Sequence, residues 1–485
     1  MAEIITSGIG PARWKLELHV GDDGLALKGD GRADAAQFAP YSDVESINAS
    51  GRGRRLALTI AFTEGRAPWL LPSVRAAEAD WAVRMIRDRL TAARRRSDRS
   101  FNEPLPFSEF PSRAQGFTAE AERGSVDIVD FLLMQGVLHG ASDVHFEPYQ
   151  KELLVRFRID GMLHDVLSLP RESQDQLGSR LKVISRLTVY RRDIPQEGRI
   201  ALPLDGRTVD FRLTALPTIH GEKFTARIFD PARELFRIED LGMDPETQER
   251  FMALISQPQG TILLTGPSNS GKTTTMYAAL RRLRETRRSL TSIATVEDPV
   301  EYDLQVLNQT QVNPRSGLTF AAALRTVLRQ DPEVIMVGEI RDPETAEIAI
   351  QAGLTGHLIL STVHARSAAG VLLRLLDLGI EPFLLASSVD AVLAQRLVRK
   401  LCGECKGQGC PRCESTSYAG RTAVFQLVVI TDEMREMVLK RASLLELEHA
   451  VKRSGAPSLR DAATARVREG VTTEAEVARV LGEPV

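Results

Sequence analysis

Residues Gly266-Pro267-Ser268-Asn269-Ser270-Gly271-Lys272-Thr273-Thr274 follow the apolar run 261–265 and lead into a threonine-rich helix start. This is the G-x-x-x-x-G-K-[ST] phosphate loop, in the strand-to-helix setting that gives the motif its meaning. Main-chain N–H groups of such a loop point inward and cradle a β-phosphate, and the helix behind it adds the positive end of its dipole. Lys272 is placed to bridge the β- and γ-phosphates and Thr273 to hold Mg²⁺ through its hydroxyl. A chance glycine-rich turn is the alternative; the agreement of strand, loop and helix start weighs against it.

Hydrolysis needs more than a cradle: an acid to order water and metal, and a group to sense the terminal phosphate. Three later stretches supply candidates. The first, 295–301, carries Glu297 and Glu301. In the second, the apolar run 334–337 reads as a buried strand whose carboxyl end carries Glu339. Ligands of open α/β sheets bind at the carboxyl ends of strands, so Glu339 sits where a metal-shell or water-orienting acid belongs. The third, 353–365, reads as another buried strand, with His357 before it and His364 after it. His364 is a candidate γ-phosphate sensor. A satisfied core histidine is the alternative, and it weighs more for His357.

All four cysteines of the chain fall within twelve residues, as Cys402-x-x-Cys405 and Cys410-x-x-Cys413. A disulfide framework would spread them along the chain, so a reducing compartment and a metal are expected. Two such pairs close a tetrahedral Cys₄ shell, the donor set of structural zinc, as a small knuckle in one loop. No histidine is near and no coordination position is left open, which argues against catalytic zinc.

The elements that must carry these groups can be read more coarsely. A chain of 485 residues with 43% hydrophobic and 26% charged residues is ordinary globular usage, and about three domains is the prior. The net charge of −2 gives no global basic field for nucleic acid. The N-terminus lacks a basic region followed by an apolar run, and no stretch of about 18 apolar residues predicts a membrane span. Residues 1–95 alternate apolar and polar positions (Leu16, Leu18, Val20; Leu56, Leu58, Ile60, Phe62) between turn signals at 21–24 and 51–53. A helix with Trp81, Met85, Ile86 and Leu90 on one face closes the unit, similar in pattern to a pleckstrin-homology-like module. Residues 96–124 read as a linker, because Pro104, Pro106 and Pro111 stand among Ser and Arg. The triple arginine 94–96 reads as a solvated helix end in preference to a lipid contact. Residues 125–240 mix a helix from Ser125, strands at 153–159 and 208–214, and a helix at 177–187. Residues 241–485 alternate strands and helices, which predicts a parallel sheet.

From about residue 125 to the C-terminus the chain strongly resembles the secretion ATPases of type II secretion and type IV pilus assembly. Glu297-Asp298-Pro299-Val300-Glu301 resembles their aspartate box. Val337–Asp342 resembles their atypical Walker B, with Glu339 in place of the usual Asp, and Ala352–His357 through His364 resembles their histidine box. The middle stretches Ala141–Pro148, Arg156–Gly161, Pro195–Arg199 and Leu216–Lys223 match as well. The resemblance implies a P-loop, RecA-like ATPase domain behind a mixed α/β, PAS-like middle domain. It implies ATP, Mg²⁺ and Zn²⁺ as ligands, and Arg199, Arg212 and Arg227 as arginines near the γ-phosphate, with the middle domain of one subunit packing on a neighbour. The strand-like settings of Arg212 and Arg227, with apolar neighbours, predict buried arginines with anionic partners. It further implies a homo-hexameric cytoplasmic ring at the inner membrane that drives a polytopic platform protein; the net charge of −2 and the lack of a basic aromatic stripe argue against a DNA-transfer motor and a nucleic-acid partner. Three departures stand out. Asn269 replaces a usual Gly, which asparagine's tolerance of positive φ accommodates. Gln426 replaces a common Glu. Residues 1–95 do not resemble the family's usual docking domain, which leaves open which membrane docking protein they meet. A retraction motor is a second reading, against which the four-cysteine knuckle argues. A low-turnover nucleotide-holding scaffold is a third, against which the presence of Lys272, Thr273, Glu297 and Glu339 argues.

Overall fold

The computed structural model describes residues 3–9, 14–20, 24–29, 37–50, 55–63, 67–97, 101–119, 124–204, 207–230, 237–286, 292–305 and 307–483. The chain forms two compact units, one of Met1–Leu105 with Asp127–His139, the other of Pro106–Val126 with Gly140–Val485. The turn signals at 21–23 and 51–53, and the side chains of Arg94–Arg96, lie outside the described residues.

In the first unit, β1 (Glu3–Ile9), β2 (Trp14–Val20), β3 (Gly24–Gly29) and β4 (Gln37–Pro40) form an antiparallel meander. β5 (Val44–Ser50), β6 (Arg55–Phe62) and β7 (Trp69–Arg75) form a second sheet. The period-two pattern holds: Leu18, Val20, Leu58, Ile60 and Phe62 are buried together. Helix α1 (Ala76–Ser97) closes this core through Ala79, Ala82, Ile86 and Leu90; the expected Trp81 and Met85 pack only partly against it, at the edge of the stripe.

The stretch expected to be a linker carries structure: a 3₁₀ turn at Phe107–Glu109 and α2 (Phe110–Ala119) in the second unit. Pro111 sits in the first turn, where its missing N–H breaks no helical bond. Phe110, Ala114 and Phe117 are buried at helical spacing, and the Phe110 ring meets Phe157 at 5.9 Å. Phenylalanines outweighed the proline signal. Helix α3 (Gly124–Leu138) groups largely with the first unit. There the buried Gln135 amide accepts from Leu105 N at 2.9 Å and donates to Glu103 O at 2.8 Å.

The second unit has two sheets. β8 (Ala141–Pro148), β9 (Glu152–Ile159), β10 (Met162–Pro170), β11 (Gln196–Leu204), β12 (Arg207–Thr218) and β13 (Gly221–Phe229) form an antiparallel sheet in the order β10-β9-β8-β13-β12-β11. Helix α4 (Ser173–Ile184) packs on β10, β11 and β13. Helix α5 (Pro245–Ile255) then leads to the expected parallel sheet, built of β14 (Gly260–Thr265), β15 (Ile293–Glu297), β16 (Asn308–Gln311), β17 (Val334–Val337), β18 (Leu358–Thr362) and β19 (Val389–Leu401). An antiparallel edge strand, β20 (Tyr418–Val429), completes it, in the order β16-β15-β17-β18-β14-β19-β20. Helices α6 (Lys272–Thr286), α7 (Phe320–Val327), α8 (Pro343–Leu354), α9 (Ala368–Asp377) and α10 (Pro382–Ser388) cover it. The strands β14, β15, β17 and β18 are buried throughout, which is why they read as continuous apolar runs. Helices α11 (Asp432–Leu439), α12 (Leu444–Arg453), α13 (Leu459–Arg468) and α14 (Glu474–Leu481) follow. Among the described residues no helix is long and apolar enough to cross a membrane.

Candidate functional site

Sheet order decides what meets. β15, β17, β18 and β14 are neighbours and parallel, so their carboxyl ends line up on one edge. The loop after β14, Glu297 at the end of β15, Glu339 after β17 and His364 after β18 therefore converge, although 98 residues separate Gly266 from His364 (364 − 266). They line an open cleft of about 510 Å³, which also takes Asp143, Arg158 and Arg227 from the antiparallel sheet.

The loop has the form of a preset anion cradle. Asn269 adopts φ +61°, as its short side chain permits. Lys272 is 9% exposed and its Nζ donates to the carbonyls of Gly266 and Pro267, both at 2.9 Å. Burial lowers its pKa, the Arg396 cation lowers it further, and Glu339 opposes them. Ser270 Oγ is buried in the cradle with no hydrogen-bond partner. A lysine bonded only to carbonyls beside an orphaned hydroxyl fits a polyphosphate that supplies the missing oxygens. Thr273, half-buried at the start of α6, also lines the cleft and could hold Mg²⁺, the ion that would offset phosphate charge there.

The three acids differ in what already holds them. Glu297 is 2% exposed and fully engaged. It accepts from the hydroxyl of Tyr277, from the Thr295 hydroxyl at 2.5 Å and from Gln309 Nε2 at 3.1 Å. Burial and this carboxylate push the Tyr277 phenol far above its ordinary range. Glu339, 8% exposed, meets Arg341 Nε at 2.5 Å and His364 Nε2 at 3.3 Å. Glu301 is pushed up by burial, while Arg227 and Arg212 pull it back and Glu297 adds to the rise. His357 turns away: its Nδ1 contacts Ala352 O at 3.1 Å, the satisfied-histidine alternative.

The three arginines stand in one row. Arg199 lies opposite Arg212, Arg212 opposite Arg227, Arg227 opposite Asp143, and Asp143 opposite Arg158, across β11, β12, β13, β8 and β9. Directly opposed cations repel unless anions intervene. Arg212 pairs with Glu197, and Arg227 Nε donates to Asp143 at 3.1 Å. The expectation of burial does not hold: the Arg212 and Arg227 side chains are 38% and 53% exposed, and Arg227 opens on the cleft. Arg227 lines the cleft of its own chain, whereas Arg199 is exposed and Arg212 is absent from the lining. Besides Lys272 and Arg227, the same chain brings Arg158, Arg341 and Arg421 to the cleft. Arg341 and Arg158 were visible only as parts of motifs; Tyr277, Gln309 and Arg421 left no sequence signal, because their contacts depend on strand order.

The cysteines sit between β19 and β20, with Cys402 and Cys413 buried. All four sulfurs lie within 4.8 Å of one another, and three pairs are 3.7–3.8 Å apart. A zinc ion at about 2.3 Å from each sulfur of a tetrahedron requires sulfurs about 3.8 Å apart, so the geometry fits. Gly409 N–H donates to Cys405 Sγ and Cys410 N–H to Cys413 Sγ, each at 3.2 Å, as thiolates want.

Comparison with known proteins bears on about three quarters of the chain. The family described as "Type II/IV secretion system protein" matches residues 120–479. The chain is 42% identical over 400 residues to the "Type II secretion system ATPase E" of Vibrio cholerae, covering 77% of this chain and 79% of that one. It is 41% identical over 388 residues to the "Type IV pilus assembly ATPase PilB" of Acinetobacter baylyi, covering 74% and 66%. Among solved structures, the Legionella pneumophila ATPase DotB shares the fold, with TM-score 0.57 at 21% identity over 72% of this chain and 93% of that one.

Proposed function

The chain belongs to the type II/IV secretion system protein family, and on that premise we propose that it hydrolyses ATP to power assembly of a pilin-like fibre at the inner membrane. It is an ATPase; the fibre, a type IV pilus or a type II secretion pseudopilus, is our reading. One observation carries it: the phosphate loop, Glu339 with His364, and Arg227 share a single cleft. Lys272 and the loop N–H groups grip the phosphates. Glu339 orders water at the terminal phosphate, with Arg341 and His364 holding its carboxylate in place. Cations aimed at charge that develops in a phosphoryl transition state raise rates by orders of magnitude, the role we give Arg227. Glu297, saturated by three donors, we assign to holding the loop of Glu301 rather than to accepting a proton.

The working form we propose is a cytoplasmic hexameric ring that acts on a polytopic platform protein, with the first unit docking to a further membrane protein. Assembly is favoured over retraction by the two relatives, which are named for secretion and for pilus assembly, and by the four-cysteine site.

The test is nucleotide retention by the full-length chain together with phosphate release. Lys272→Ala should lose retention, whereas Glu339→Gln should retain ATP and release almost no phosphate. Equal loss of binding in both would refute the assigned roles.

A further inference from the structure

Gln395 lies in mid-strand on β19, 1% exposed. Its side-chain carbonyl accepts a 2.9 Å hydrogen bond from the Thr275 hydroxyl, in the first turn of α6. Its amide nitrogen lies 2.8 Å from the point that a Cβ on Gly271 would occupy, where φ is +85°. Its main-chain oxygen lies 2.5 Å from the corresponding point on Gly266 and accepts from Arg396 Nη1 at 2.9 Å. Arg396 in turn donates to Arg366 O at 3.2 Å, so the strand is tied to the segment after β18 as well. One buried residue therefore touches both glycines that bound the loop and the helix that follows it. The motif's two glycines, usually explained by the phosphate alone, are here also required by what stands behind them.

We infer that Gln395 is a positioning residue for the phosphate loop: it fixes the span between Gly266 and Gly271 and the seating of α6, and so aims the N–H cradle. This rests on the nucleotide reading of the cleft. The physical need is plain. A glycine-bounded loop is soft, and donors serve a phosphate only when held within a few tenths of an ångström. β19 is hydrogen-bonded on both sides, to β14 and β20, and supplies a rigid backing. Gln395 acts through the loop.

The experiment uses the full-length chain, a fluorescent ADP analogue and its displacement by unlabelled MgADP. Lys272→Ala tests the nucleotide reading itself. Gln395→Ala should weaken MgADP about tenfold, since the loop loses the backing that aims its N–H groups; the unpaired Thr275 hydroxyl also lowers the nucleotide-free melting temperature, so affinity is the deciding readout. Thr275→Val, isosteric and lacking the donor, should weaken binding to a similar degree, and the double variant should be no worse than either single one. Gly271→Ala combined with Gln395→Ala should bind better than Gly271→Ala alone, since losing the amide makes room for the methyl group. A role confined to packing would lower the melting temperature and leave affinity unchanged. Binding within twofold of the parent in both single variants, or full additivity in the double, overturns the inference. So does failure of both single variants to fold, which would make the pair a determinant of the fold instead. A parent that binds no ADP defeats the nucleotide reading and this inference with it.

Discussion

Replacing Glu476 by glutamine should loosen the base of the hairpin that carries the cysteine site. Glu476 is the one fully buried carboxylate there, on α14. It accepts from Arg399 N at 3.0 Å and Nη2 at 2.7 Å on β19, and from Arg479 on its own helix. Arg399 stacks 4.0 Å over the Tyr418 ring, and the Tyr418 hydroxyl meets Thr473 Oγ1 at 2.7 Å, so both strands flanking the cysteines are tied to this acid. Burial pushes the carboxyl up, but Arg479, Arg399 and the Arg399 N–H outweigh it and hold the pKa at about 2 against an ordinary 4.5. At about 1.4 kcal/mol per pH unit, that depression is worth about 3 kcal/mol. The folded pKa lies below the unfolded one, so this stability is present above about 4.5 and is lost as pH falls toward about 2. By pH 4 the loss is about 0.8 kcal/mol. Hydrogen exchange followed by mass spectrometry, on peptides covering α14 and β19, reads the local opening directly. Glu476→Gln should raise opening about a hundredfold at pH 7. The gap between parent and variant should narrow at pH 4, because only the parent has this charge to lose. Equal protection at pH 7, or a gap that does not change with pH, would refute the reasoning.

Three further outcomes are expected. The purified chain should carry about one zinc, and chelation should deprotect residues 402–417 before nucleotide binding is lost; metal-free protein with four freely alkylated thiols would end the zinc assignment. Mixing Glu339→Gln chains with Arg227→Ala chains should leave activity as low as either component, since Arg227 lines its own chain's cleft; recovery while subunits exchange would place it across an interface. A chain of residues 101–485 should stay soluble and bind nucleotide. One of residues 120–485 should be less stable by about 1–3 kcal/mol for each bond lost at the buried Gln135 amide; equal unfolding midpoints would show that those bonds are dispensable.

Local pattern was enough for much of this protein. The phosphate loop is a contiguous segment whose chemistry depends on neighbours in sequence, so Gly266 to Thr274 declared itself without a fold. The cysteine pairs did the same, because one short loop closes the shell. Buried parallel strands showed as unbroken apolar runs, and the meander of the first unit showed as alternation, since each records which faces meet water. The reading failed where two local signals competed: prolines at 104–111 spoke for a linker, yet Phe110 and Phe117 found a core to enter. What no local pattern carries is strand order. That order brought Glu339 to His364, set Arg199, Arg212, Arg227 and Arg158 in one row, and left Arg212 and Arg227 half exposed rather than buried. It also saturated Glu297 with Tyr277 and Gln309, and pressed Gln395 against both ends of the loop. Those pairings depend on hydrogen bonds and contacts made between distant segments once the sheets have formed, and only the tertiary structure decides them.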